Sequence, residues 1–207
     1  MAKRFVSVTF VAFIVIVALA RAAWSQNNAA DTDMLVEALK LSPGNVVGEI
    51  GAGGGELSLA IAKRVAPGGR VISSELGASR VQGLREAVGK RADNIEVIEG
   101  HESRTNFPEG CCDAVFMRNV YHHFADPPAM NATLLRAVKP GGAIAVIDFT
   151  PPGKEADVPS GRSKDKFHGL YAETLVRELT NAGFIDATAE TIDKGVYMVV
   201  AKRRPAF

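Results

Sequence analysis

Apolar and polar positions along this chain switch between a strand-like and a helical period, and the switches lay out its elements. Val46 to Ile50 is a short apolar run with one acid, Glu49, near its end, and it stops at a cluster of four glycines, Gly51 and Gly53 to Gly55. Leu57, Leu59, Ile61, Ala62 and Val65 then recur with helical spacing until Pro67-Gly68-Gly69 ends the segment. The same succession repeats. Arg70 to Leu76 reads as a second strand, Ala78 to Lys90 as a helix with Val81, Leu84 and Val88 on one face, and Asn94 to Glu99 as a third strand. The turn Phe107-Pro108-Glu109-Gly110 leads into a fourth strand, Cys112 to Met117. Asp126-Pro127-Pro128 caps and starts a helix whose apolar side is Met130, Leu134, Leu135 and Val138. Lys139-Pro140-Gly141-Gly142 breaks it, and Ala143 to Phe149 is a near-continuous apolar run of the kind buried on both faces of a parallel sheet.

Strands alternating with helices through residue 150 predict an α/β fold, a parallel sheet with right-handed crossovers and helices on both faces. Upstream, Met34, Leu35, Ala38 and Leu39 form a short amphipathic helix capped by Asp31 or Thr32, and Ser42-Pro43-Gly44 turns it into the first strand. Thr150 to Gly169 is rich in proline, glycine and charge and has no period, which suits a lid over a substrate or a disordered segment. His168 and Tyr171 stand at its return into a helix, Leu170 to Asn181; Phe184 to Ile192 and Val196 to Lys202 then read as a closing antiparallel hairpin.

The first residues follow another logic. Lys3 and Arg4 precede a 16-residue apolar run, Phe5 to Ala20, and Ala20-Arg21-Ala22 is a small-x-small site. This is the layout of a secretory signal peptide, residues 1–22, with cleavage near Ala22. The run falls short of the ~20 residues that span a bilayer, so membrane contact through residues 5–20 requires the leader to be retained as an anchor. Either way the remainder is exported, with residues 23–30 as a flexible leader and residues 31–207 as one domain. Losing Lys3, Arg4 and Arg21 takes the formal charge from +1 to −2, because every acid lies beyond residue 30. Such a balance carries no electrostatic footprint for nucleic acid. Cys111 and Cys112, the two cysteines, are adjacent; Cα atoms about 3.8 Å apart fall below the usual disulfide range, so they are expected to pack unpaired at a strand edge.

The chemistry starts at the glycine turn. Glycine there allows backbone angles and close approach that a Cβ would block, so N–H groups and a helix N-terminus can meet a ligand with negative charge or a polar edge. A dinucleotide turn reads G-x-G-x-x-G, and counted from Gly51 its third glycine falls on Glu56; a P-loop is excluded because no Gly-Lys-Ser/Thr follows. Instead Glu49 and Ile50 precede G-x-G-x-G at 51, 53 and 55. About 20 residues beyond the turn, Glu75 ends the second strand, where an acid is placed to accept bonds from ribose hydroxyls.

These residues resemble the first motifs of the class I methyltransferases that use S-adenosylmethionine. The likeness extends to Asn119-Val120-Tyr121-His122-His123 after the fourth strand, similar to the family's "N-V-L-H-H" segment, and to Lys139-Pro140-Gly141-Gly142 with the strand that follows, similar to its "L-K-P-G-G" break. The matches cover Leu41 to about Phe149. The resemblance implies a Rossmann-like, seven-stranded, mostly parallel sheet in the order 3-2-1-4-5-7-6. It also implies cofactor contacts from Glu49, Gly51, Ala52, Gly53, Gly55, Glu75 and Asn119, with Glu49 suited to the methionine ammonium. The family usually carries Gly-Asp beside the adenine; this chain has His101 there, followed by Glu102, and either can accept the adenine amino group's bond.

Methyl transfer needs orientation and, for some acceptors, removal of a proton. Tyr121, His122, His123 and His168 are the candidates for positioning or deprotonating a small-molecule acceptor, and Asp148 stands where an acid can face it. The two adjacent histidines show no H-x-x-x-H spacing and no nearby carboxylate pair, so no metal is expected. S-adenosylmethionine is made in the cytoplasm while the leader exports the chain. An exported, non-catalytic binding protein for a nucleoside-type ligand is therefore the alternative from a different class.

Overall fold

The computed structural model describes residues 28–206. The signal-peptide and anchor readings of residues 1–22, and the start of the leader, lie outside the described residues. The first helix, α1, occupies residues 28–38. It is followed by β1 (Val46–Ile50), α2 (Glu56–Val65), β2 (Arg70–Glu75), α3 (Ala78–Gly89), β3 (Ile95–Glu99) and β4 (Cys112–Arg118). After a single 3-10 turn at Tyr121–His123 come α4 (Pro127–Ala137), β5 (Val138–Phe149), α5 (Ala172–Asn181), β6 (Ile185–Asp193) and β7 (Val196–Lys202). The seven strands form one sheet in the order β3-β2-β1-β4-β5-β7-β6, as the family resemblance implied. Pairings from β3 to β5 are parallel, and β7 runs antiparallel to both β5 and β6.

The continuous apolar runs have a direct structural cause. Successive side chains of a strand point to opposite faces, and here both faces of the central strands are covered. Val115 and Met117 of β4, with Ile144 and Val146 of β5, pack on the α4 and α5 side with Leu134, Leu175 and Phe184. The alternate residues Ala114, Phe116, Ala145 and Ile147 pack on the other side with Leu35, Leu57 and Ile61 of α1 and α2. In β1 the same alternation sends Val47 to the α1 and α2 side and Ile50 to the opposite layer.

The structure departs from the sequence expectations at four places. α1 begins at residue 28, so the end of the supposed flexible leader is helical. A long-range pairing explains it: Arg118 Nη1 of β4 donates to Asn28 Oδ1 at 2.7 Å and to Asp31 Oδ2 at 2.6 Å. β5 starts at Val138, before the glycine pair, because Cys112 pairs with Val138 and Ala114 with Ala143, leaving a bulge between them. A Cβ on Gly142 in that bulge would lie 2.5 Å from the Asp113 carbonyl. Cys111 and Cys112 are joined in a disulfide, contrary to the expectation of free thiols. The usual Cα range describes bridges between distant residues, whereas neighbours close a small ring through their own peptide bond.

The fourth place is the segment from Thr150 to Gly169, which is tied down. Arg162, buried within it, donates from Nη2 to Glu178 Oε1 of α5 at 2.6 Å and from Nη1 to Glu178 Oε2 at 3.1 Å. Its Nε also stands 3.2 Å from Glu155 Oε1. This pinning fixes where the chain returns and so where His168 sits.

Candidate functional site

The carboxyl ends of β1, β2 and β4 surround a cavity of about 550 Å³, a size in the range of small-ligand sites. Its position follows from topology. β1 is followed by α2 and a move toward β2, whereas β4 lies on the other side of β1, so the connections part between them and leave a crevice.

The first wall is the glycine turn and β2. The N–H groups of Gly51 and Ala52 both donate to the Ser74 carbonyl, at 2.9 and 3.0 Å, which ties the turn to the neighbouring strand. Gly51 has φ of 72°, and a Cβ there would come within 2.5 Å of the Val120 side chain. Only glycine lets Val120 close the cavity at this point. Gly53 donates its N–H to Glu75 Oε2 at 2.9 Å. Gly55, with φ of 79°, precedes α2, and a Cβ on it would overlap Val88 and Leu84 of α3. Gly51 lines the cavity, whereas Ala52, Gly53 and Gly55 are not among its lining residues.

Glu75 is nearly buried and lines the cavity. Besides the Gly53 bond, its Oε1 accepts from the Leu76 N–H at 2.8 Å and stands 3.5 Å from Arg80 Nε. An ionised carboxylate offers about four acceptor positions, so capacity remains for a ligand hydroxyl. Across from it, His101 and Glu102 line the cavity together. His101 is exposed, and its Nδ1 accepts from the Ser103 N–H at 3.2 Å. Asn119, held at φ of 56° with its N–H on the Ile147 carbonyl at 2.8 Å, completes this end.

Glu49 stands elsewhere. By strand alternation its side chain shares the face of Val47, toward α2, and there it accepts hydrogen bonds from Ser58 Oγ and, at 3.4 Å, from Ser73 Oγ. It is not among the cavity's lining residues. Burial pushes its carboxyl up to about 7, opposed by the Ser58 bond and then by the charge of Arg118.

The last wall belongs to the segment after β4. Tyr121 is fully buried; its hydroxyl donates to Glu178 Oε2 at 3.0 Å and accepts from Asn131 Nδ2 at 2.7 Å. Desolvation, reinforced by Glu178, raises its pKa well above the usual phenol value, and it does not line the cavity. The sequence candidate is thus a core residue that docks α5. The three histidines gather instead. His122 is buried, with its Nδ1 2.8 Å from Asp148 Oδ1 and its Nε2 2.9 Å from His168 Nε2. His123 is exposed and forms part of the cavity wall. Burial lowers its pKa, and the neighbouring His122 and His168 lower it further, so its neutral form is favoured.

Sequence reasoning missed three arginines on the wall, Arg80, Arg104 and Arg118, because nothing in their local spacing marks them. It also missed Ser58 and Ser73, whose role is visible only once β1, β2 and α2 are stacked.

A parallel sheet with this strand order, a glycine turn after β1 and an acid at the tip of β2 defines the fold class of the Rossmann-like methyltransferases. Residues 48–146 match the family described as methyltransferase domain, and this match together with the fold supports a class I S-adenosylmethionine-dependent methyltransferase. Among its relatives is a phosphoethanolamine N-methyltransferase of Triticum aestivum, 30% identical over 77% of this chain and 32% of that protein. Another is a demethylmenaquinone methyltransferase of Thermus thermophilus, 29% identical over 58% of this chain and 53% of that one. The chain thus spans between a third and about half of these relatives' lengths. Its fold matches a SAM-dependent methyltransferase of Aquifex aeolicus with a TM-score of 0.70 at 22% identity, covering 83% of this chain and 89% of that one.

The position of Glu49 yields a stability prediction. Its folded pKa, about 7, lies above the ordinary value of 4.5 that the unfolded chain would show, so the native state binds the proton more tightly and stability contributed by protonated Glu49 is lost as pH rises from about 4.5 through 7. The whole swing is up to about 3 kcal/mol. Glu49→Gln should therefore gain stability relative to the wild type at pH 8 compared with pH 5 in urea unfolding. An unchanged difference between the two pH values would mean that the carboxyl is not desolvated.

Proposed function

We propose that this protein binds S-adenosylmethionine in the cavity at the sheet's carboxyl edge and transfers its methyl group to a small-molecule acceptor. One observation carries the reading: a single cavity joins a nucleoside-type wall, Gly51, Glu75 and His101–Glu102, to an imidazole wall, His123 with His122 and His168 behind it. The residues fit the cofactor's chemistry. Glu75 has acceptor capacity for ribose hydroxyls, Gly51 keeps the turn free of a Cβ, and His101 or Glu102 accepts the adenine amino group's bond. S-adenosylmethionine, when bound, supplies a methyl group on a sulfonium centre already activated for in-line attack.

The chain's own residues then orient the reactants and manage one proton. His123, neutral and at the cavity wall, accepts the proton that an acceptor hydroxyl or ammonium must lose. Asp148 and His122 hold the cluster in place. The named relatives act, by their names, on phosphoethanolamine nitrogen and on demethylmenaquinone, so the family resemblance leaves the methylated atom open. A binding protein without turnover would use the same nucleoside wall, and only turnover separates the two readings.

Turnover is tested by incubating the protein in metal-free buffer with methyl-labelled cofactor and a panel of small amines, phenols and thiols. Transfer to at least one acceptor is expected, with His123→Gln lowering kcat by about 10²- to 10⁴-fold. The wild-type rate should fall on the acid side only below pH 6.5, the ordinary histidine value from which His123 is lowered. Full activity in His123→Gln would remove that residue from the reaction, and tight cofactor binding with no transfer to any acceptor would favour the binding protein.

The export reading rests on Lys3, Arg4 and the apolar run Phe5 to Ala20. N-terminal sequencing of the protein from fractionated cells should give a chain starting near Ala23 outside the cytoplasm. An intact leader on soluble cytoplasmic protein would contradict export.

A further inference from the structure

His122, His123 and His168 come from two separate parts of the chain; 46 residues separate His122 from His168. One ring nitrogen from each lies within 4.8 Å of the others. The rings crowd one another, with centroids 4.1 Å apart for His122 and His123 and 4.7 Å for His122 and His168. The Nε2 atoms of His122 and His168, 2.9 Å apart, need a proton or a cation between them, and His123 brings a third ring nitrogen within 4.8 Å.

The tautomers can be assigned from the bonds. Asp148 is fully buried, and its carboxylate accepts from the His122 and Phe149 backbone N–H groups, at 3.2 and 2.9 Å, and from His122 Nδ1 at 2.8 Å. His122 therefore carries its proton on Nδ1, and in the neutral ring Nε2 holds a lone pair aimed at His168 Nε2. A carboxylate behind one ring nitrogen, with the other nitrogen free to donate, is the arrangement that orients histidine ligands around a metal.

We propose that His122, His123 and His168 form a binding site for a divalent first-row transition cation of the zinc type, with Asp148 as the group that orients His122. Imidazole nitrogens suit such cations, which take three protein ligands and keep an open fourth position when the site is not purely structural. Zinc–nitrogen bonds of about 2.0–2.1 Å place tetrahedral donors about 3.3 Å apart. The His122–His168 pair, at 2.9 Å, opens slightly, and the exposed ring of His123 swings inward from its present distance. The cation replaces the proton that His168 Nε2 now holds against the His122 Nε2 lone pair, and the neutral His168 ring carries its one proton on Nδ1 instead, exchanged through solvent. His123 belongs both to the cluster and to the cavity wall, so the open position borders the space where a ligand enters.

The spacing of the sequence hid this site. His122 and His123 are adjacent, which no metal motif uses, and His168 reaches them only because Arg162 pins the preceding segment to Glu178. The proposal needs no cofactor; a bound cation takes up the His123 lone pair, so the proton acceptance assigned to His123 belongs to the metal-free protein.

The test uses the full chain without a histidine tag, stripped with a chelator and dialysed. Zn²⁺ is added by calorimetry, and Co²⁺ is followed by its visible absorption. One equivalent is expected, with the Co²⁺ spectrum of a site of low coordination number. His123→Ala and His168→Ala should each weaken binding by at least about tenfold, and Asp148→Asn by about 10- to 100-fold. Thermal melting of each metal-free variant shows whether it is folded, and the exposed His123 supplies the variant least coupled to folding. No stoichiometric uptake by the wild type, or uptake indifferent to His123→Ala and His168→Ala, overturns the site. Titration with S-adenosylhomocysteine on the same samples separates the two readings: cation uptake without nucleoside binding leaves this site standing and removes the methyltransferase one.

Discussion

Everything functional in this molecule depends on the parting of the chain between β1 and β4. These strands lie side by side, in parallel and buried on both faces, yet their connections leave on different sides of the sheet. Backbone N–H groups of the turn after β1 find their acceptors at the tip of β2, in the Ser74 carbonyl and the Glu75 carboxylate. The bond from Gly53 to Glu75 couples the turn after β1 to the tip of β2 across 22 residues of sequence. A cavity bounded by these groups is the direct result of the strand order and of glycine at the points where a Cβ would collide.

Much of this was legible because each parallel strand buries both faces and so appears as an unbroken apolar run. The run Ala143 to Phe149 and the break at Pro140-Gly141-Gly142 were visible, whereas the pairing of Val138 with Cys112 was not, since a bulge depends on the partner strand's register. Glu49 held a signal that went unused. It shares the face of Val47, and strand alternation alone points it into the layer under α2, toward Ser58. Tyr121 was misleading in the opposite way: it sits in the segment that resembles a site, but the direction of its side chain is set by α4 and α5, through Asn131 and Glu178.

The histidine cluster could not have been found from local pattern. It requires the return of the chain after β5, and that return is fixed by the buried pairing of Arg162 with Glu178 and Glu155. The same long-range logic explains the start of α1, where Arg118 at the end of β4 reaches Asn28 and Asp31. Charged side chains here carry tertiary information between segments far apart in sequence, whereas apolar periodicity carries only the local element. Under the proposed export the cofactor must also be met outside the cytoplasm, which makes ligand affinity the quantity on which the functional account turns.

That affinity can be measured directly by calorimetric titration of the purified protein with S-adenosylmethionine and S-adenosylhomocysteine, using NAD as control. The account predicts micromolar, one-to-one binding of the first two and none of NAD, with Glu75→Ala weakening it by about 1–3 kcal/mol. Absence of binding by either sulfur nucleoside, or affinity unchanged in Glu75→Ala, would contradict it.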